Sequence, residues 1–224
     1  MARITDVVKN LLIINIIFFI GTMLMGSPDS QTSLALINEQ INGTAADWGR
    51  LRLAMFYPTS PYFQPIQIVT HMFMHGDIMH LFFNMFALFM FGPPLEIKWG
   101  PKRFLFYYFF TGFGAMGLHL FVRYLEMTSG SISPYAANVP MLGASGAIFG
   151  LLLGFGMNFP NVQIQLLFPP IPIKAKYFVL IFAGLELFLG LSNYNSGVAH
   201  FAHLGGALFG FLLILYWRKF GSRL

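Results

Sequence analysis

Six long apolar runs, each bounded by charged residues, glycine or proline, constrain this sequence more than any other feature. A helix that crosses a bilayer needs about 20 mostly apolar residues, because lipid offers no partner for backbone polar groups. The runs therefore predict an all-α integral membrane protein, a bundle of six transmembrane helices. The predicted spans cover approximately residues 7–25, 72–92, 103–125, 144–158, 175–191 and 199–217.

Composition excludes most soluble classes of protein. The sequence is 56% hydrophobic and 9% charged, whereas a soluble domain has about 25% charged residues. The net charge of +5 comes from basic residues scattered between apolar runs, so we expect a lipid bilayer as partner and no nucleic acid. The sequence has no cysteine, which excludes thiolate metal sites and thiol nucleophiles. Any nucleophilic chemistry would use oxygen.

The chain is predicted to be a single membrane domain over residues 1–224, because it has no linker, charge block or internal repeat. The first run is too long for a secretory signal, so we expect a retained span. Basic residues favour the cytoplasmic side, and with both termini inside only Arg50, Arg52 and Arg123 lie outside. The absence of a transit peptide favours a bacterial inner membrane.

Two connections have unusual compositions. The segment 26–70 combines prolines with aromatic residues, which predicts a structured piece at the membrane surface with short amphipathic helices. The segment 191–198 carries Asn193, Asn195 and Gly197, and is predicted to be a mobile cap.

The fourth run is too short to span the membrane. Its 15 residues, 144–158, would extend about 22 Å, against a hydrocarbon core of about 30 Å. A polar, turn-rich stretch precedes it, and irregular backbone at membrane depth is tolerated only where protein buries it or water lines it. We therefore predict a water-filled cavity open to the outside, with the fourth helix beginning at its floor.

Polar residues converge near that level. The second, fourth and sixth runs point from outside to inside, and near their N-terminal ends they carry His80, Asn84, Ser145, His200 and His203. Ionisable groups within spans usually face a cavity or mark a functional path. A serine needs a base within hydrogen-bond reach to act as a nucleophile, and histidine suits that role.

Ser145 and His203 are the candidate nucleophile and base. Because Ser145 opens a helix, backbone N–H groups there lack intrahelical acceptors and could bind an oxyanion. His80 and Asn84 share a helix face and could contribute two further donors. Small residues allow close helix approach, and the sequence places Gly206 and Gly210 after His203, and Gly146, Gly150 and Gly154 after Ser145. These glycines predict that the fourth and sixth helices bring Ser145 and His203 into contact.

Three segments, GASGAIFG (143–150), MHLFFN (79–84) and AHFAHLGGALFG (199–210), closely resemble signature segments of the rhomboid intramembrane serine proteases. The resemblance implies a six-span bundle with Ser145 as nucleophile, His203 as general base, and His80 and Asn84 as oxyanion-stabilising side chains together with Ser145. The family pattern AHxxGxxxG selects His203 over His200, since it aligns with Gly206 and Gly210. It also implies transmembrane protein substrates and no cofactor.

Other residues take supporting roles in this resemblance: Phe149, His200, Gly143 and Gly206. Phe149 stands where a tyrosine often packs on the base, and it keeps the ring without the hydroxyl. Glu96 resembles a glutamate that braces the first loop. A common Trp-Arg pair in that loop is replaced by Ile66 and Gln67, so we expect different loop anchoring.

Competing interpretations remain for several polar residues. His71 and His75 are four apart, but no acidic residue accompanies them as in a zincin motif, so we expect no metal and interpret them as hydrogen-bonding to the first loop. Glu186, within the fifth run, is interpreted as structural, with a proton relay as the alternative. No acidic third catalytic member is expected, because packing by Phe149 would hold the imidazole.

Two other functions were compared with proteolysis. A non-catalytic relative that binds and escorts membrane proteins would typically lack the serine or the histidine, and this sequence has both. A solute transporter would predict paired broken helices or an inverted repeat, and neither is visible. The oligomeric state is not predicted.

Overall fold

The computed structural model describes residues 4–25, 48–165, 171–192 and 199–221. Its helices are α1 (Asp6–Leu24), α2 (Trp48–Leu53), α3 (Gln67–Thr70), α4 (Ile78–Trp99), α5 (Pro101–Thr128), α6 (Ser145–Asn158), α7 (Ala175–Leu191) and α8 (His200–Phe220). Short 3-10 helices cover His71–Phe73 and Pro134–Asn138. Strands β1 (Gln163–Gln165) and β2 (Pro172–Lys174) pair antiparallel, with Ile164 opposite Ile173. The protein has the predicted all-α membrane fold.

The six predicted spans correspond to six long helices, although their lengths differ. Four of them, α1, α4, α5 and α8, are long and apolar enough to cross a membrane. Helix α6 has 14 residues, or about 21 Å at 1.5 Å per residue, so the fourth run is short, as predicted. Helix α7 has 17 residues and its bounds match the prediction.

The predicted bounds of the second span, residues 72–92, were wrong at both ends. Helix α4 begins only at Ile78, because Met74 is extended (ψ 144°) and Asp77 caps the new helix by accepting a hydrogen bond from the His80 amide at 2.8 Å. It then continues through Pro93 and Pro94 to Trp99. Proline removes one helical N–H but keeps a helical φ, and membrane helices tolerate it.

Gly100 separates α4 from α5. Its φ of +80° is a left-handed conformation, and its amide donates to the Glu96 carbonyl at 2.8 Å. A glycine in this position commonly ends a helix. Pro101 then starts α5 at the first helical position, where its missing N–H costs nothing.

The chain divides into two compact units. The first unit comprises Met1–Asn10, Met85–His119 and Ser145–Leu224, and the second comprises Leu11–Asn84 and Leu120–Ala144. The proposal that residues 1–224 form one domain remains a prediction.

In the first unit, Tyr107 of α5 joins α6 and α8. Its ring is fully buried, and its hydroxyl donates to the Gly150 carbonyl at 2.8 Å. A side chain on Gly210 would overlap the same hydroxyl, and one on Gly154 would lie 3.2 Å from it. The glycines of α6 and α8 therefore accommodate α5 as well as each other.

Glu96 also belongs to the first unit, where it binds the start of α1. Its carboxylate accepts hydrogen bonds from the Thr5 hydroxyl at 2.5 Å and from the amides of Val7 and Val8 at 3.1 and 3.0 Å. These hydrogen bonds cap α1, because amides in the first turn of a helix lack intrahelical acceptors. Bracing of the first loop by Glu96 stays a prediction.

In the second unit, the described part of the first loop is structured and contains the short helices α2 and α3, as predicted. Gln67 is fully buried; its side chain accepts from the Gln64 amide at 3.0 Å and donates to the Tyr62 carbonyl at 3.0 Å. This glutamine anchors the loop, at one of the two positions where Ile66 and Gln67 replace the Trp-Arg pair. Residues 26–47 lie outside the described part.

A second connection ties the loop to residues 129–144. Met55 and Met141 form an isolated antiparallel bridge, with amide–carbonyl distances of 2.9 and 2.8 Å. The Ser60 hydroxyl donates to the Asn138 side chain at 2.7 Å. These contacts hold two polar connections of the second unit together.

Candidate active site

Ser145 and His203 are in hydrogen-bond contact. Ser145 is the first residue of α6, and His203 lies in the first turn of α8. The distance from His203 Nε2 to Ser145 Oγ is 2.9 Å. His203 is buried and Ser145 is half-buried. The two residues are 58 positions apart in sequence and are in contact, as predicted. An unprotonated Nε2 can accept the serine proton.

Glycine allows this approach. A Cβ at Gly206 would overlap the carbonyl oxygen of Gly146, and a Cβ at Gly205 would lie 2.9 Å from the Ala115 Cα. Backbone atoms cannot move aside as a flexible side chain can. Helices α6 and α8 therefore pack backbone to backbone directly below Ser145 and His203, because Gly206 has no side chain.

Phe149 packs on the imidazole of His203. The ring centroids are 4.2 Å apart and the ring planes differ by 6°. Phe149 lies one helical turn after Ser145, so α6 supplies both the hydroxyl and the ring that limits tilting of the base. This is the packing that the sequence predicted.

Glu186 of α7 contacts both histidines at the start of α8. Its Oε2 lies 2.6 Å from His200 Nδ1, with which it forms a hydrogen bond, and its Oε1 lies 3.0 Å from His203 Nδ1. The His203 N–H is not aligned well enough with Oε1 to count as a hydrogen bond, so this second contact is an ion-pair distance. Glu186 itself is 9% exposed.

The sequence interpretation of Glu186 missed this arrangement. A carboxylate does lie next to His203, although none was expected there. One signal could have revealed it: α7 and α8 are consecutive antiparallel helices with a short connection, so a residue near the end of α7 faces the first turn of α8. The predicted cap, residues 191–198, lies largely outside the described residues, which include only Leu191 and Ser192.

His80 and Asn84 belong to the second unit, near the start of α4. His80 Nδ1 accepts from the Gly76 amide at 3.3 Å, and Asn84 Nδ2 donates to the His80 carbonyl at 2.8 Å. Asn84 is 6% exposed. The two residues share a helix face, as their spacing predicted, and their oxyanion role remains a prediction.

Gly143 and two further histidines lie in the same unit. Gly143 has a φ of +126°, and its amide donates to the His71 carbonyl at 2.9 Å. His71 Nδ1 donates to the Gln67 carbonyl at 2.9 Å, which is a first-loop contact as expected. His75 differs: its ring nitrogens have no hydrogen-bond partner among the described residues, and its ring lies edge-on to His80, 5.1 Å away.

Burial keeps both of these histidines neutral. Loss of hydration lowers the pKa of His71 to about 4. Burial, with a further contribution from the nearby His80, lowers the pKa of His75 to about 4. Neutral imidazoles of this kind serve packing and hydrogen bonding more readily than charge.

One group of side chains could hold a metal ion. Among the described residues, Glu186, His200 and His203 each offer one donor atom, and these atoms lie within 4.8 Å of one another. A carboxylate with two imidazoles is a known zinc donor set. The same atoms also pair directly with each other, so the geometry does not require a cation, and the absence of a metal remains a prediction.

Comparison with known protein families shows to which family the chain belongs. The family model of the rhomboid domain matches residues 62–220. The chain belongs to the rhomboid family. The matched segment includes α4 to α8, and so both Ser145 and His203.

Several relatives of this rhomboid-family chain are named as proteases. It is 28% identical to "Rhomboid protease AarA" of Providencia stuartii over 216 residues, which cover 91% of this chain and 69% of that protein. It is 32% identical to "Putative rhomboid protease YdcA" of Bacillus subtilis over 66% of this chain and 64% of that protein. It is also 32% identical to "Rhomboid protein 1, mitochondrial" of Saccharomyces cerevisiae, of which it spans about half, 47%.

Proposed function

We propose that this rhomboid-family chain is an intramembrane serine endopeptidase that cleaves transmembrane protein substrates. The observation that carries the proposal is the 2.9 Å hydrogen bond between Ser145 Oγ and His203 Nε2. The protease names of its relatives and its apolar helices support the same conclusion. We also propose that it lies in a bacterial inner membrane, with both termini in the cytoplasm.

The chemistry follows from these two groups. His203 Nε2 takes the proton of Ser145 as Oγ bonds to the scissile carbonyl carbon, which gives a tetrahedral oxyanion. The imidazolium then returns this proton to the leaving amine, the C–N bond breaks, and an acyl ester on Ser145 remains. A water molecule loses a proton to His203 as its oxygen bonds to the ester carbon. His203 then gives this proton to Ser145 Oγ as the acyl C–O bond breaks, which releases the new carboxyl end and restores both groups.

The oxyanion would be stabilised by donors that cost no reorganisation during the reaction. The amide of Ser145, in the first turn of α6, has no intrahelical acceptor. His80 and Asn84 are proposed as the side-chain donors, in line with the family motif. Phe149 packs on the imidazole of His203, and Gly206 allows the close contact between α6 and α8.

Substrates are proposed to be membrane-spanning segments whose helix unwinds at the cut. A helical peptide bond has its carbonyl engaged in the helix, so local unwinding must precede attack. Glycine or proline near the cut would lower this cost, and a small residue at the cut is expected from the family resemblance.

The decisive experiment compares wild type, Ser145→Ala and His203→Ala, purified and reconstituted in liposomes with a model transmembrane substrate. We expect wild type to cleave and both variants to lose about 10³-fold or more of the rate, because members of such a unit act together. Ser129→Ala is the matched control, since Ser129 is exposed and lies outside the site. Equal cleavage by all four proteins would exclude the proposal. Substrate binding without cleavage by any of them would favour the escort function.

A further inference from the structure

We propose that Glu186 is a positioning residue for His203 and completes a Ser145–His203–Glu186 relay. The proposal rests on the proposed serine protease function and goes beyond the Ser-His dyad. It concerns the Nδ1 side of the imidazole, which the dyad leaves unexplained.

The three groups form a continuous sequence of contacts. Ser145 Oγ lies 2.9 Å from His203 Nε2, and His203 Nδ1 lies 3.0 Å from Glu186 Oε1. The two ring nitrogens thus face a hydroxyl and a carboxylate from opposite sides. Hydrogen bonds of catalytic groups are often poorly aligned before substrate binds and tighten in the complex, which fits the imperfect angle at Nδ1.

A carboxylate at Nδ1 determines which nitrogen carries the proton. A neutral imidazole has one N–H, and its position is set by the hydrogen bond made by the other nitrogen. An acceptor at Nδ1 places the N–H there and leaves Nε2 free to accept the Ser145 proton. The negative charge also stabilises the imidazolium that forms when Ser145 attacks.

His200 holds the other oxygen of the carboxylate. The contact between His200 Nδ1 and Glu186 Oε2 is 2.6 Å. His200 and His203 are three apart, on one face of α8, so Glu186 spans both imidazoles with one oxygen each. This arrangement leaves Oε1 directed to His203 and restricts rotation of the carboxylate.

Glu186 and Phe149 restrict different motions of His203. Phe149 lies parallel to the imidazole, with 6° between the planes, and limits tilting of the ring. Stacking on a face says nothing about rotation within that plane or about the tautomer. A carboxylate in contact with Nδ1 restricts this in-plane rotation and fixes the tautomer.

Burial supports a specific role for this charge. Glu186, His200 and His203 are 9%, 8% and 8% exposed. A buried carboxylate is costly unless it is paired and hydrogen-bonded, and a carboxylate needed only for packing α7 on α8 could be replaced by an apolar residue. Glutamate at this position is understandable if its charge acts on the base.

The test measures kcat and KM for a transmembrane substrate with wild type, Glu186→Gln, Glu186→Asp and Ser145→Ala. Glutamine keeps the shape but removes the charge. We expect Glu186→Gln to lower kcat by about 10- to 100-fold, with KM within about twofold. This is less than the roughly 10²- to 10⁴-fold of direct acid–base catalysis, because Glu186 acts through His203. Glu186→Asp should recover part of this loss, because it retains the charge.

The matched control is Glu96→Gln, which neutralises a second buried glutamate, whose carboxylate binds the start of α1. Its kcat should stay within about twofold of wild type, even if its thermal midpoint falls. A Glu186→Gln kcat equal to that of Glu96→Gln would overturn the inference while leaving the protease function intact. An inactive wild type, indistinguishable from Ser145→Ala, would instead remove the function on which it rests.

Two further measurements separate positioning from packing or metal binding. In ¹⁵N-histidine-labelled protein, we expect the His203 Nδ1 proton to resonate far downfield in wild type and to move upfield in Glu186→Gln. An unchanged resonance would contradict the relay. Activity should survive treatment with EDTA; its loss on chelation, with recovery on added zinc, would assign Glu186 to a metal site and overturn the proposal.

Discussion

Two buried glutamates in the first unit have opposite kinds of partner. Glu96 accepts hydrogen bonds from the Thr5 hydroxyl and from the amides of Val7 and Val8, whereas Glu186 lies against the imidazoles of His200 and His203. Both side chains lie on largely apolar helices and are similarly buried, with 5% and 9% exposure.

The difference shows how burial of a carboxylate can serve two purposes. Backbone amides keep their protons throughout any reaction, so Glu96 can only hold α1 in place. An imidazole can accept and release a proton during a reaction, so the charge of Glu186 can influence the rate. Changes in the Glu96 region should therefore alter stability, and changes in the Glu186 region should alter rate.

The largest effect is expected from Gly206→Ala, at the contact of α6 with α8 that brings Ser145 to His203. A Cβ would overlap the Gly146 carbonyl, so α6 and α8 must separate and Ser145 must move from His203. A displacement of about 1 Å can cost about 100-fold in rate, and we expect that loss in kcat/KM. Gly184→Ala is the control, since nothing lies within 4 Å of a Cβ there. Equal activities would show that the helix contact does not set the geometry.

In the Glu96 region, Glu96→Ala is expected to lower the free energy of unfolding by about 2 kcal/mol, because it leaves buried amides without acceptors. Thermal unfolding in detergent measures this loss. Thr5→Val removes only the hydroxyl donor and should cost less. If Glu96→Ala instead lowered kcat with no loss of stability, the contrast between the two glutamates would fail.

Phe149→Leu tests whether stacking adds to the action of Glu186. Leucine keeps apolar volume but loses the parallel ring at 4.2 Å, and we expect kcat to fall about 10-fold, or 1.4 kcal/mol. Phe149→Tyr, which keeps the ring, should stay within about threefold of wild type. Similar rates for the leucine and tyrosine variants would mean that stacking does not hold the base.

The smallest effect concerns pH and two buried histidines of the second unit, His71 and His75. Burial lowers the pKa of His71 and His75 to about 4, below the value near 6.5 of an unfolded chain. Their stabilising contribution is complete above about pH 6.5 and is lost as the pH falls towards 4. Between pH 7 and 6 the loss is under about 1 kcal/mol for each.

Thermal midpoints measured from pH 8 to 5 check this expectation. His71→Asn can still donate to the Gln67 carbonyl but does not titrate in this range, so its midpoint should depend less steeply on pH than that of wild type. A parallel pH dependence of the two proteins would show that His71 titrates normally.

The helices were predictable where hydropathy and end signals agree. The bounds of α7 matched, α6 began within one residue of its predicted start, and α1 was displaced by one residue at each end. The bounds of helix α4 were not predictable in this way, because the cap at Asp77 makes the helix begin late and Pro93 does not end it. A proline ends a helix in water more readily than in a packed membrane bundle.

The sequence by itself determined the chemistry that was available: an all-α membrane fold, one serine at the start of a short helix, and histidines and glycines at spacings that allow contact. These features follow from hydropathy and residue type, which are local. The tertiary structure alone decided the partners of the two buried glutamates. Whether Glu96 and Glu186 meet amides or imidazoles depends on how each helix is rotated against its neighbours, and packing across the bundle sets that rotation.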